Sequence, residues 1–120
     1  MALFPGAPYE YSATGRGLVF TAGACPLDED GGVVAPGDHA AQAARAADNL
    51  LAALAAHGLD AGSLLKTTVY VVARERADLV RVWDVVEARF GRAPSTLLGV
   101  SLLGYPDQLV EIEAIALEAD

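Results

Sequence analysis

Cysteine, histidine and basic side chains are scarce in this 120-residue sequence. Its one cysteine, Cys25, excludes a disulfide bond within the chain. Such cysteine usage is typical of a reducing compartment, and we expect a cytoplasmic protein. The two histidines, His39 and His57, stand at opposite ends of a predicted helix, and Cys25 lies in no metal-binding spacing. We therefore expect no metal site and no cofactor.

Positive charge and long apolar runs are also lacking. Eight Lys and Arg residues against sixteen Asp and Glu residues give a net charge of −8 at pH 7. Such a surface repels phosphate backbones, which disfavours nucleic-acid binding. No apolar run approaches the roughly 20 residues of a membrane span, and no basic segment precedes one at the N-terminus, so neither a membrane span nor a signal peptide is expected. An apolar fraction of 53% predicts a single domain, residues 1–120, around one core.

The segment 109–117 is the most informative stretch of the chain. Its β-branched residues predict a strand, and the alternation places Val110, Ile112, Ala114 and Ala116 on one apolar face. Glu111 and Glu113 share the other face with apolar residues, a mixture that suits a cleft or a subunit interface. A solvated position for both glutamates is the alternative that this pattern leaves open.

The remaining pattern predicts an α+β domain. The strands are predicted at 9–13, 18–22, 64–72, 96–100 and 109–117, and the helices at 39–57 and 77–90. The turn 14–17 joins the first two strands into a hairpin. Asp38 is a plausible N-cap, and Gly58 and Gly91 stand where helices commonly end. Two helices on one face of a mixed sheet are the compact arrangement for this order.

Few residues in the sequence indicate chemistry by themselves. Cys25 is better explained as a small buried hydrophobe than as a nucleophile, because no pattern places a histidine beside it. Trp83 suits core filling, although an aromatic residue at a helix edge can also line a pocket. From the residues alone, the chemistry depends on Glu111.

Several segments resemble the RidA/YjgF family over nearly the whole chain. They are Pro8-Tyr9, the run 20–23 followed by Pro26-Leu27, Ala41-Gln42 with Asn49-Leu50, and the runs 65–71, 85–90 and 110–116. The resemblance implies a chorismate-mutase-like fold and a homotrimer whose sheets form an inner barrel, with small-molecule clefts between subunits. It further implies hydrolysis of reactive enamines or imines, such as 2-aminoacrylate, to a 2-keto acid and ammonia.

Three residues match the site that this resemblance implies. Glu111 corresponds to the catalytic glutamate that positions the attacking water, and Tyr9 corresponds to a substrate-binding tyrosine near the N-terminus. Gly23 keeps the backbone position beside the pocket.

Other positions depart from the family pattern. Ala22 stands where a serine is usual, and Trp83 where an asparagine is usual. Ser95, followed by Thr96 in the same pocket segment, occupies the place of the arginine that binds the substrate carboxylate; in the other register Pro94 occupies it. Neither can pair with a carboxylate as an arginine does.

These departures change the expected ligand more than the expected fold. Without the arginine, and with Arg92 three residues upstream of Ser95 as a weak substitute, standard 2-imino acids are poor candidates. A less acidic, more hydrophobic or aromatic ligand is expected. The leading hypothesis is a hydrolase acting on an imine or enamine. The alternative is a non-catalytic small-molecule-binding or metabolic accessory protein of the same fold, and an endoribonuclease or translation inhibitor is disfavoured by the acidity.

Overall fold

The computed structural model describes residues 2–119. Five strands and two α-helices follow one another in the order expected for an α+β chain, with a short 3-10 turn at Ala61–Ser63 before the third strand. They are β1 Ser12–Gly15, β2 Leu18–Thr21, α1 His39–Ala55, β3 Leu64–Val72, α2 Arg76–Phe90, β4 Ser95–Val100 and β5 Val110–Leu117.

The five strands form one mixed sheet in the spatial order β1-β2-β5-β3-β4. The pair β3–β4 is parallel and the other neighbouring pairs are antiparallel. Helix α2 makes the crossover that a parallel pair requires. The last strand of the sequence therefore lies at the centre of the sheet, between β2 and β3. The predicted mixed sheet with two helices is confirmed.

Local sequence signals account for most element boundaries. The Asp38 side chain accepts a hydrogen bond from the Ala41 amide at 3.0 Å and caps α1. Gly58 and Gly91, both with positive φ, follow the two helices. Strand β3 has the predicted bounds, and α1 ends two residues before the predicted His57.

The prediction for the first strand is wrong. It spans Ser12–Gly15 rather than 9–13, and its register with β2 is set by a two-residue turn in which Arg16 and Gly17 both have positive φ. Tyr9 therefore lies in the irregular segment before β1. This segment is still tied to the sheet, because the Ala22 amide donates to the Tyr11 carbonyl at 2.9 Å.

The core lies between the two helices and one face of the sheet. From β5 it receives the four apolar residues that alternation predicts: Val110, Ile112, Ala114 and Ala116. Helix α1 contributes mostly alanines, so its backbone approaches the sheet closely, and Leu50 and Leu54 fill the remaining space. Burial of this face provides the main driving force for the fold.

Among residues 2–119, both helices pack on the core face, which leaves the opposite face of the sheet without a helix. Phe20, Leu98 and Leu117 are 45%, 43% and 55% exposed on it, and Glu111 and Glu113 are partly buried among them. The Tyr70 hydroxyl donates to the Glu113 carboxylate, which raises the pKa of Tyr70. We call this surface the open face. It combines carboxylates with large apolar side chains, as the pattern of the last strand predicts.

Candidate functional site

The carboxylate of Glu111 is fixed from one side. Its Oε1 accepts a hydrogen bond from Gln108 Nε2 at 3.2 Å and a weaker one from the Cys25 thiol at 3.4 Å. Its Oε2 lies against residue 23, where an added Cβ would approach it to 2.1 Å. Only glycine at position 23 leaves room for this conformation. Oε1 is thus engaged by the protein, and Oε2 is the oxygen left to accept a proton or a hydrogen bond from a ligand.

A break in the pairing of β2 with β5 brings Gly23 and Cys25 to Glu111. Phe20 pairs with Ile115, whereas Ala24 pairs with Ile112, so the β2 side contains one extra residue. This is the geometry of a β-bulge, and it reverses the facing of the residues that follow. Ala24 then points into the core, and its neighbours turn toward the carboxylate.

The loop 101–109 supplies Gln108 and is anchored from α1. The buried Gln42 side chain donates to the Asp107 carbonyl at 2.9 Å and accepts from the Leu109 amide at 2.7 Å. Gln108 itself is buried and accepts from the Tyr105 amide at 3.1 Å. The donor that holds Glu111 is therefore tied to the core by successive hydrogen bonds.

Tyrosine rings form one wall of the site. The rings of Tyr9 and Tyr11 meet edge to face with centroids 5.7 Å apart, and the hydroxyls of Tyr9 and Tyr105 are 3.4 Å apart. Burial and the contact with Tyr105 raise the pKa of Tyr9 far above its usual range. Burial, and then the charge of Glu111, raise the pKa of Cys25 to about 12. Near neutral pH the thiol is therefore a hydrogen-bond donor and a poor nucleophile.

Trp83 and Ser95 lie elsewhere in the chain. Both line a cavity of about 360 Å³ on the α2 side of the sheet, together with Arg92. The Ser95 hydroxyl accepts a hydrogen bond from Thr67 at 2.7 Å. From Glu111 to Ser95 the path crosses two strand spacings and three residues, which is about 14 Å in a regular sheet.

The remaining two proposed site residues are Thr96 and Ala22. Thr96 is on the open face, where its hydroxyl accepts from Lys66 Nζ at 2.6 Å. Ala22 precedes Gly23 in the irregular pairing. Within one chain, three of the proposed residues, Tyr9, Gly23 and Glu111, lie together. With Cys25, Tyr105 and Gln108 they form what we define as the Glu111 cluster, and Trp83 and Ser95 form a separate Trp83–Ser95 edge.

Three members of the Glu111 cluster were missed from sequence. The prediction of Cys25 as a small buried hydrophobe rather than a nucleophile is confirmed by its burial, but its contact with Glu111 is not predicted, because simple alternation cannot detect a bulge. Gln108 and Tyr105 stand in a loop, where no period predicts the direction of a side chain. The one available signal was their proximity in sequence to Glu111.

A further cavity lies away from this cluster. It measures about 780 Å³ and opens between the N-terminal ends of the two helices, beside His39, Arg74, Asp78 and Arg81. Asp78 accepts from the Arg74 amide at 3.0 Å, which lowers the pKa of Asp78, and from Arg81 at 2.8 Å. His39 Nε2 donates to the Val72 carbonyl at 2.8 Å. At this cavity, His39 and Asp78 already have hydrogen-bond partners within the protein. The cavity is therefore a weaker candidate for a catalytic site than the Glu111 cluster.

Two absences hold for residues 2–119. These residues contain no group of three or more His, Cys, Asp or Glu side chains positioned to hold a metal ion. Neither helix of the described chain is long and apolar enough to cross a membrane.

Known proteins resemble the chain over almost its full length. The family model described as endoribonuclease L-PSP matches residues 1–118. The 2-iminobutanoate/2-iminopropanoate deaminase of Escherichia coli is 35% identical over 113 residues, which cover 91% of this chain and 86% of the relative. A RutC family protein of Pyrococcus horikoshii is 31% identical over 113 residues, covering 93% and 88%.

Solved structures agree with this assignment. The YjgF gene product of E. coli superimposes with a TM-score of 0.83 at 33% identity, covering 97% of this chain and 92% of that one. E. coli TdcF, solved with bound serine, gives a TM-score of 0.82 at 28% identity, covering 94% and 90%. With a matching sequence model and the same fold, this chain belongs to the endoribonuclease L-PSP family, also called the YjgF/RidA family.

Proposed function

We propose that this protein is a hydrolase of reactive imines or enamines, with Glu111 as the catalytic residue. The observation that carries the proposal is the fixed carboxylate: Oε1 is held by Gln108 and Cys25, and Oε2 is free beside a glycine. A carboxylate held in this way is preorganised to orient a water molecule and take its proton. The deaminase relative of E. coli supports imines as the substrate class.

The proposed step uses only water and the bound imine. The water oxygen forms a bond to the imine carbon while Glu111 Oε2 takes one of its protons, and the C=N electron pair moves to nitrogen. The nitrogen then receives both protons of the water, the one held by Glu111 and the one on the new hydroxyl, and leaves as ammonia while the C–O bond becomes a carbonyl. Atoms balance as one imine plus one water giving one carbonyl compound plus one ammonia.

We further propose that the working form is a homotrimer with its sites between subunits. Two observations support an interface on the open face: large apolar side chains are exposed there, and the proposed site residues fall into two groups about 14 Å apart within one chain. A neighbouring copy could place its Trp83–Ser95 edge against the Glu111 cluster. Sedimentation of the full chain at the mass of a monomer would contradict both the trimer and the inter-subunit cleft.

The direct test measures carbonyl release from imines generated in situ. The series includes 2-aminoacrylate and a larger apolar imine, and each rate is compared with the spontaneous rate. We expect the wild type to accelerate at least one of these reactions, and Glu111→Gln to lower the acceleration about 100-fold or more. Glu113→Gln is the matched control, since it removes the same charge from the same strand. Equal activity of Glu111→Gln and wild type would refute the assignment.

A binding protein without turnover is the second candidate. One observation favours it: among residues 2–119, no Lys or Arg forms an ion pair within 4.0 Å of Glu111, so this cluster has no cation to hold a substrate carboxylate. Ser95→Arg addresses this point. A silent wild type and an active Ser95→Arg variant would show that the site is intact but has lost its usual substrate.

RNA cleavage, suggested by the words of the family model, has little physical support here. The chain has a net charge of −8, and the open face presents two carboxylates. Both features repel a phosphate backbone.

A further inference from the structure

The charge of the Glu111 cluster is unbalanced. Burial holds the Tyr9 hydroxyl and the Cys25 thiol in their neutral forms near neutral pH, and Gln108 is neutral, so Glu111 supplies the charge of the cluster. Glu113 adds a second carboxylate two residues away on the same face. A ligand carboxylate placed here would meet like charge at short range.

Four of the eight basic side chains have partners other than Glu111. Lys66 extends across the open face to the Thr96 hydroxyl, and Arg45 donates to the Leu27 carbonyl at 2.9 Å. Arg81 and Arg89 pair with aspartates of the helices. The Glu111 carboxylate thus has no ion-pair partner within 4.0 Å in the described part of the chain.

The tyrosine rings of the site favour a positively charged ligand over a ligand carboxylate. Tyr9 and Tyr11 meet edge to face, and Tyr105 approaches Tyr9 through its hydroxyl, so three partly buried tyrosine side chains lie together here. Aromatic faces attract cations, most strongly where water is partly excluded. Tyr105 and Gln108 also line a cavity of about 380 Å³ along the loop 101–109, which gives room for an apolar group next to the rings.

From this juxtaposition of tyrosine rings with an uncompensated carboxylate, we propose that the site selects cationic ligands that lack a carboxylate: protonated imines derived from simple amines, and the corresponding ammonium ions. This inference rests on the proposed function for the identity of the reacting group. The positive nitrogen lies beside the rings within the field of Glu111, and the apolar substituent enters the cavity along the loop. A protonated imine is also the more electrophilic form, so its carbon is activated for attack by water.

Binding of two stable probes tests the charge preference separately from turnover. Phenethylammonium and 3-phenylpropanoate have nearly the same size and opposite charge, and neither can be hydrolysed. We expect wild-type protein at low ionic strength to bind phenethylammonium at least tenfold more tightly by calorimetry. The ratio should fall at high salt, because screening weakens the attraction.

Variants identify the group responsible. Glu111→Gln should reduce the ratio of the two dissociation constants to about threefold or less, whereas Glu113→Gln, with the same change in net charge, should keep most of it. Equal or tighter binding of 3-phenylpropanoate, or no binding of either probe, would overturn the inference. Anion binding that disappears in Arg92→Ala would do so as well, since it would show that Arg92 supplies the missing cation.

Turnover provides the second arm. A flavin amine oxidase acting on phenethylamine and an amino-acid oxidase acting on phenylalanine generate two imines that differ only in the carboxylate. We expect at least tenfold greater acceleration for the imine without it. Faster hydrolysis of the imino acid would overturn the charge inference and leave the hydrolase proposal intact. Tight phenethylammonium binding with no hydrolysis of either imine would support the charge inference and refute the hydrolase proposal.

Discussion

Replacing Gly23 with alanine tests the geometry of the Glu111 carboxylate. An added Cβ would lie 2.1 Å from Oε2, and ordinary contact begins near 3.4 Å, so the oxygen must retreat by about 1.3 Å, the difference between the two. Gly23 does not have positive φ, so the backbone itself accepts alanine. The side chain of Glu111 can swing away, but it then leaves the two donors on Oε1.

The consequence should be large for activity and modest for stability. A catalytic group misplaced by about 1 Å can cost about 100-fold in rate, and we expect Gly23→Ala to lose about that much imine hydrolysis. Hydrogen bonds to a charged group contribute about 1.5–3 kcal/mol each, and these two are long, at 3.2 and 3.4 Å. Set against the roughly 0.4–1 kcal/mol that alanine gains by restricting the unfolded chain, the free energy of unfolding should fall by about 1–2 kcal/mol.

The assay pairs carbonyl release with urea unfolding for each variant. Gly15→Ala is the control, since its added Cβ meets nothing within 4 Å and its φ is not positive. Glu111→Asp in the Gly23→Ala background shortens the side chain by one methylene. It removes the contacts at 2.1 and 2.6 Å and leaves the Cγ contact at 2.8 Å, so it should relieve most of the clash. The double variant should then be more active than the two separate losses predict. Wild-type activity in Gly23→Ala alone would refute the close approach of Oε2 to residue 23.

Three further expectations follow from buried groups. Because the pKa of Cys25 is raised from 9.0 to about 12, the unfolded thiol ionises first, and the free energy of unfolding should fall as pH rises through this window. In urea titrations from pH 8 to 11, Cys25→Ala should show a shallower fall than the wild type. An equal fall would contradict the raised pKa. Leu50→Ala should cost about 2–5 kcal/mol by chemical denaturation, and Leu102→Ala, at 81% exposure, should cost almost nothing; equal effects would contradict the assigned core. The Asn49 side chain donates hydrogen bonds to the carbonyls of Cys25 and Leu27. Asn49→Asp removes both donors and buries a charge, so the urea midpoint of unfolding should fall strongly. An unchanged midpoint would contradict those contacts.

Regular periodicity made most of the fold predictable. Strand β3 has the predicted bounds because Leu64–Val72 is rich in β-branched residues and is flanked by clear breaks. Helix α1 was found from its alanine content, its Asp38 cap and its terminal glycine. The first strand was misplaced because a four-residue strand contains too little alternation, and its register depends on positive φ at the turn residue Arg16.

The candidate site was accessible from sequence only where it lies on regular structure. Glu111 could be singled out because its strand alternates cleanly and its carboxylate shares a face with apolar residues. Tyr9 and Gly23 came from family resemblance, and the structure places them in the cluster around Glu111. Ser95 and Trp83 came from the same resemblance, yet they lie at a separate edge, so within one chain they do not complete the site.

The sequence by itself determined which residues of β5 enter the core and which occupy the open face, because the side-chain period of a strand is fixed by backbone geometry. Only the tertiary structure decided what surrounds the carboxylate. Continued from the exposed Phe20, plain alternation would point Gly23 and Cys25 into the core. The bulge shifts the pairing by one residue, and both turn toward Glu111. A bulge is stabilised by contacts between distant strands, here including the Ala114 amide donating to the Thr21 hydroxyl at 2.9 Å, and no local pattern in residues 21–23 encodes those contacts.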